Sequence, residues 1–211
     1  MKIDLQHVGK RFNREWIFRQ VTLELSSASS YAITGPNGSG KSTLLQTLGG
    51  MLQPSEGKVI FQLNNDLIAP ENAFTQLSFC APYLDVIEEM TLVEFLDFHQ
   101  KFKPFLAGIT TRNIIETLGL QASAHKQIRY YSSGMKQRVK LAQAIFSDTA
   151  ILLLDEPCSN LDAKGIELYQ SLIEQYCPNR LVVVCSNDPV EYSFCKEEIS
   201  MNSFKKEAVS F

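Results

Sequence analysis

No run of apolar residues in this chain approaches the roughly 20 that a membrane-spanning helix needs, so the sequence is not expected to cross a bilayer. Met1 opens directly onto Lys2-Ile3-Asp4-Leu5-Gln6, without the basic, apolar and small-residue succession of a signal peptide, which points to a cytoplasmic protein. The five cysteines form no C-x-x-C pair, and an odd number scattered through apolar stretches reads as reduced core residues. His7, His99 and His125 lack the local spacing of a metal site. With a net charge of −3 there is no basic excess to suit a general nucleic-acid binder. Repeats, low-complexity tracts and charged tails are also absent.

What is present is enough for one sizeable core with a small appendage: 211 residues, 45% of them hydrophobic. The most informative stretch is Gly35-Pro36-Asn37-Gly38-Ser39-Gly40-Lys41-Ser42-Thr43. It fits G-x-x-x-x-G-K-[ST], in which glycines let backbone N–H groups curl around phosphate oxygens while the next helix aims its positive dipole end at them. Tyr31 to Thr34 before it reads as a buried strand and Leu44 to Leu48 after it as a helix, which is the confirming context. In this pattern Lys41 reaches the β- and γ-phosphates, Ser42 ligates Mg²⁺ and Thr43 donates to the α-phosphate.

Before that loop, residues 2–8 and 20–25 read as an antiparallel pair of strands. Phe12, placed on the loop between them, is a candidate to stack on an adenine ring, with Trp16 a second; the plainer alternative is a core phenylalanine under a hairpin. Gly49-Gly50 ends the loop's helix, strands follow at 58–63 and 77–81, and Pro82 stops the second. Residues 85–131 change to helical patterning: Thr91 and Glu94 make a capping box, and Gly119 stops a helix over 112–118.

Ser132-Ser133-Gly134 then precede a helix whose Met135, Val139, Ala142 and Phe146 share one face. Two hydroxyls and a glycine at a helix N-terminus favour an anion, although a plain serine cap explains one of them. Residues 150–154 form a continuously apolar strand that ends in Asp155-Glu156. Ligands in open α/β sheets lie beyond the carboxyl ends of strands, which puts Asp155 on Mg²⁺ through water and Glu156 toward the γ-phosphate. The fold expected is α/β, a P-loop NTPase core with a mixed sheet, an N-terminal antiparallel β subdomain and a small α-helical subdomain.

The order of these motifs resembles the ATP-binding subunits of ABC transporters over nearly the whole chain. Gly35 to Thr43 stands for the Walker A loop, Tyr131 to Met135 for the family signature, Ile151 to Glu156 for Walker B and Ser159 to Asp162 for the D-loop. The resemblance implies one ABC-type nucleotide-binding domain over 1–211, with the helical part at about 85–131 inserted in the ATP-binding core. It implies ATP and Mg²⁺ as cofactors and a transport-coupled ATPase, peripheral on the cytoplasmic face of the membrane beside a transmembrane permease subunit. It further implies a homodimer or heterodimer of such domains, closed head-to-tail so that each ATP lies between one Walker A loop and the partner's Ser132 to Gly134. Phe12 falls on the family's adenine-stacking aromatic.

Two positions depart from the family. Its Q-loop glutamine falls on Pro82, and its switch histidine on Asn187, which can hydrogen-bond a γ-phosphate but cannot become cationic. These departures leave open a weakly hydrolysing ATP-dependent clamp or regulatory module. An ABC ATPase acting on DNA or ribosomes fits least, since the long insertions or paired domains of those relatives are missing.

Overall fold

The structure, a computed structural model, describes residues 1–27 and 29–204; the end of the expected domain, 205–211, lies outside them. Two sheets share the strands. One is antiparallel, with β1 (Lys2–Phe12) between β2 (Glu15–Ser26) and β4 (Glu56–Leu63), and β5 (Asp66–Ile68) at its edge. The other is parallel, in the order β6 (Leu77–Cys80), β7 (Ile151–Asp155), β8 (Leu181–Cys185), β3 (Ser30–Thr34) and β9 (Glu197–Ser200). The mixed character expected of the sheet is thus divided between two sheets of opposite type.

Central strands β7 and β8 are buried at every residue, which is why they read as unbroken apolar runs. Their side chains alternate between two cores. Ile151 and Leu153 face a cluster holding Ile3, Leu5, Phe18 and Phe61 of the antiparallel sheet and Leu44, Leu45 and Leu48 of α1 (Lys41–Leu48). Leu152 and Leu154 face the other cluster, with Val139, Ala142 and Ile145 of α4 (Ser133–Ile145) and Tyr169, Leu172 and Ile173 of α5 (Ala163–Tyr176). Helices α1 and α4 therefore occupy opposite faces of the parallel sheet, an arrangement that strand period two enforces.

Between β6 and α4 the chain is helical. α2 (Leu92–His99) starts at the expected capping box, with Glu94 N donating to Thr91 Oγ1 at 3.3 Å and Thr91 N to a Glu94 carboxylate oxygen at 2.8 Å. α3 (Thr111–Leu118) has a second box, Thr110 with Asn113, that the sequence reading missed, and it stops at Gly119 as expected. The buried residues of both helices belong to the α4 core.

The structure corrects the sequence in two places. Lys10, Arg11 and Phe12 continue β1 instead of forming a loop, because the hairpin runs on to the pair Phe12 and Glu15 around a tight turn with Asn13 at φ 54°. β5 has no counterpart in the sequence reading, because three residues pairing with Phe61 to Leu63 carry too little pattern to be seen.

Candidate functional site

The carboxyl ends of β7, β8 and β3 lie side by side and bring three loops together. After β3 the chain turns through Gly35 to Gly40. Gly40 has φ 98°, and a Cβ there would come within 2.4 Å of Ile17 Cγ2, so both the turn and the packing against β2 require glycine. It stands at the N-cap of α1, which has no side-chain cap, so first-turn N–H groups are left to meet an anion. Lys41 is 6% exposed and folds over the loop, its Nζ donating to Gly35 O at 2.7 Å and Pro36 O at 3.3 Å. Ser39 Oγ is buried and has no hydrogen-bond partner among the described residues.

Next to this loop, β7 ends in Asp155, 2% exposed. Burial pushes its carboxyl above the usual carboxylate range; a hydrogen bond from Ser42 opposes this, the Glu156 charge adds to it, and the Lys41 charge and a Tyr83 hydrogen bond oppose it. A buried carboxylate paired with a hydroxyl suits an oxygen-seeking divalent cation that takes its remaining ligands from phosphate and water. Among the described residues no cluster of three acids, histidines or cysteines offers a full protein cage, so such an ion would depend on the anion. Glu156 is exposed in the left-handed region at φ 43°, which for this residue type costs about 1–3 kcal/mol. Glu156 N donates to Cys185 O at 2.9 Å and Ser159 N to Glu156 O at 3.1 Å, bonds that hold the strained turn.

Beyond β8, Ser186 N donates to Ile33 O at 3.2 Å and sets Asn187 above the glycine loop. The Asn187 amide spans it: Nδ2 donates to Asn37 Oδ1 at 3.1 Å, and Oδ1 accepts from Gly35 N at 3.3 Å. Lys41, Ser42, Asp155, Glu156 and Asn187 therefore come from three segments to one place, with Pro36, Asn37 and Gly38 exposed above them.

Ser132, Ser133 and Gly134 are not joined to that place. Ser132 caps α4, its Oγ accepting from Met135 N at 3.3 Å, so the plain cap reading holds for that oxygen; both serines are exposed. A Cβ on Gly134 would lie 3.0 Å from Asn160 O, a close approach that favours glycine. Two residues that sequence reasoning passed over anchor this helix to the loop after Glu156. Gln137 Nε2 donates to Pro157 O at 2.7 Å, and Arg138 pairs with Asp162 at 3.1 Å. Both sit beside the motif, but their partners are about 20 residues away in sequence.

Phe12 is 48% exposed at the hairpin tip, with Lys10 Nζ 5.2 Å from its ring centroid. The Trp16 ring already carries two guanidinium groups, Arg19 at 4.1 Å and Arg11 at 5.4 Å. At the glutamine position, Pro82 offers only a carbonyl, which accepts from Lys140 Nζ at 3.0 Å.

The ABC transporter family model matches residues 18–159. A cytochrome c biogenesis ATP-binding export protein, CcmA, of Rhizobium meliloti is 30% identical over 209 residues, covering 97% of this chain and 99% of its own. Two solved structures share the fold. An ATP-binding cassette in a dimeric post-hydrolysis state bound to ADP and Pi has a TM-score of 0.79 at 23% identity, covering 94% of this chain and 93% of its own. An ATP-binding subunit of an ABC transporter has a TM-score of 0.80 at 19% identity, covering 95% and 85%. Likeness of that extent, in sequence as well as fold, means that the chain belongs to the ABC transporter family, as one of its ATP-binding subunits.

Proposed function

We propose that this ATPase subunit closes head-to-tail on MgATP, with a second copy or a related chain, and passes that motion through its helical residues 85–131 to a separate membrane-spanning partner. The observation that carries the reading is the placement of α1 and α4 on opposite faces of the parallel sheet. Among the described residues, Ser132 and Ser133 make no hydrogen bond to the glycine loop of their own chain and lie exposed, which supports a partner bringing its own pair to complete the site. That the ADP-bound relative is dimeric supports this reading.

Within each site the backbone from Gly35 to Gly40 cradles the phosphates, Lys41 supplies charge to the β- and γ-oxygens, and Thr43 donates to the α-phosphate. Ser42 and Asp155 are the residues that would hold Mg²⁺, whose chemistry is to neutralise developing phosphate charge. Glu156 accepts a proton from the attacking water. Phe12 stacks on adenine in preference to Trp16, whose ring is engaged by two arginines. No described helix is long and apolar enough to cross a membrane, which agrees with a peripheral subunit on the cytoplasmic face. No nucleic acid is involved.

One observation favours slow hydrolysis, the limit of which is an ATP-dependent clamp. Asn187 stands where a histidine would bridge γ-phosphate and water, and its short amide is spent on Asn37 and Gly35. Replacing it by histidine should raise kcat several-fold with little change in KM, because the new contact strengthens as charge develops; tenfold corresponds to about 1.4 kcal/mol. Single-turnover rates at saturating MgATP for the wild type, Asn187→His and Asn187→Ala decide the matter. Slow wild-type turnover that histidine accelerates supports an impaired hydrolase, and no turnover in any of the three leaves the clamp. A fast wild type slowed by histidine shows a site rebuilt around asparagine.

A further inference from the structure

The loop after β6 lacks a side-chain amide at Pro82, yet the next residue delivers a polar group to the metal side of the site. Ala81 to Leu84 form a turn closed by Leu84 N donating to Ala81 O at 3.2 Å. The turn carries Tyr83 over α1, with its ring beside Phe79 at a centroid distance of 6.4 Å. Gln46 lies one helical turn after Ser42 and so on the same face of α1. Its Nε2 donates to the Tyr83 hydroxyl at 2.8 Å. With its oxygen occupied as an acceptor, that hydroxyl has its own proton to give, and β6, whose Cys80 pairs with Leu154, sets this turn beside Asp155 at the end of β7. Asp155 thus lies between the start of α1, which carries Ser42, and the turn that carries Tyr83.

We propose that Tyr83 is a positioning residue for the metal-binding carboxylate: clamped by Gln46, its hydroxyl donates to Asp155 and fixes it toward Ser42, supplying from position 83 the polar contact that Pro82 cannot make. The inference rests on Mg²⁺ binding at Ser42 and Asp155 as proposed above. The turn has a second connection, since Pro82 O accepts from Lys140 of α4, the helix that Ser132 caps. The same short turn therefore touches the metal side of one site and the helix that serves the other.

Outer-shell partners of metal ligands typically contribute about 10–100-fold to metal affinity. The test compares wild type, Tyr83→Phe, Gln46→Ala, the double variant of these two and Asp155→Asn by titration with a fluorescent ATP analogue, once in EDTA and once in excess Mg²⁺. The readout is the ratio of the two dissociation constants, the gain in affinity that the metal confers. Tyr83 is 51% exposed, and phenylalanine keeps its ring, so the fold and the metal-free affinity should be unchanged. Tyr83→Phe should lower the gain about tenfold. Gln46→Ala should lower it less, and should add nothing on top of Tyr83→Phe. An unchanged gain in Tyr83→Phe overturns the proposal, as does an equal loss of affinity with and without metal. Failure of the underlying reading looks different: wild type would then show no Mg²⁺-dependent gain, or Asp155→Asn would keep it.

Discussion

Lys41→Ala should abolish tight ATP binding. Lys41 is the full positive charge that the loop itself provides; the rest of the cradle offers backbone dipoles. Hydrogen bonds to charged groups contribute about 1.5–3 kcal/mol each, so losing the ammonium removes at least one to two orders of magnitude of affinity. A second loss follows from the free chain. The Lys41 ammonium holds the loop by bonding Gly35 O and Pro36 O, and alanine leaves these carbonyls without that donor around a side chain that was 6% exposed. The loop then relaxes away from the shape that fits phosphate. Titration with labelled ATP measures the effect, and an affinity equal to wild type would place the nucleotide elsewhere.

Glu156→Gln should leave binding intact and lower turnover by about 10²–10⁴, the usual cost of removing a general base. Glutamine keeps the shape of glutamate but cannot accept a proton from water. The left-handed turn at φ 43° rests on backbone bonds to Cys185 and from Ser159, neither of which uses the carboxylate, so the geometry should survive. With hydrolysis blocked, the ATP-closed pair should accumulate and elute as a dimer from a sizing column in MgATP. A variant that turns over at the wild-type rate removes Glu156 from that role, and one that stays monomeric at high concentration means that either that role or the head-to-tail closure is wrong.

What was legible in the sequence is what local chemistry determines. The apolar run of β7, the glycine loop, the Thr91 capping box and the Gly119 stop each lie within a few residues, and each is where the pattern placed it. The cysteines read as reduced core residues; all five are free, Cys80, Cys177 and Cys185 are buried, and Cys158 and Cys195 are half-buried. Burial pushes the Cys80 thiol up to about 12, which makes it inert.

What was missed depends on pairs far apart in the chain. Lys10, Arg11 and Phe12 belong to β1 only because β2 pairs with them. Gln46 and Tyr83 are 37 positions apart, and nothing local in either marks the bond between them. Gln137 and Pro157 are likewise joined only once α4 packs on the sheet. That α1 and α4 take opposite faces follows from alternation along β7, but which helix takes which face is a matter of topology. The departures at Pro82 and Asn187 were visible, whereas their structural consequences, a tyrosine at the next position and an asparagine clasping the loop, were not.

The central claim is that each ATP is shared between the glycine loop of one chain and the Ser132 helix of another. It is tested most directly by mixing two inactive variants. Lys41→Ala disables the first half-site. Ser132→Asp disables the second while sparing the fold, because aspartate caps a helix as well as serine does but sets a negative charge against the triphosphate. Each variant alone has one broken half in every site. A mixed pair has one site with both halves broken and one with both intact. Steady-state hydrolysis of the mixture should therefore exceed the sum of the two variants measured separately, and should vary with the mixing ratio with a maximum near equal amounts. A rate equal to that sum at every ratio would show that no site is shared between copies of this chain, and would contradict the account.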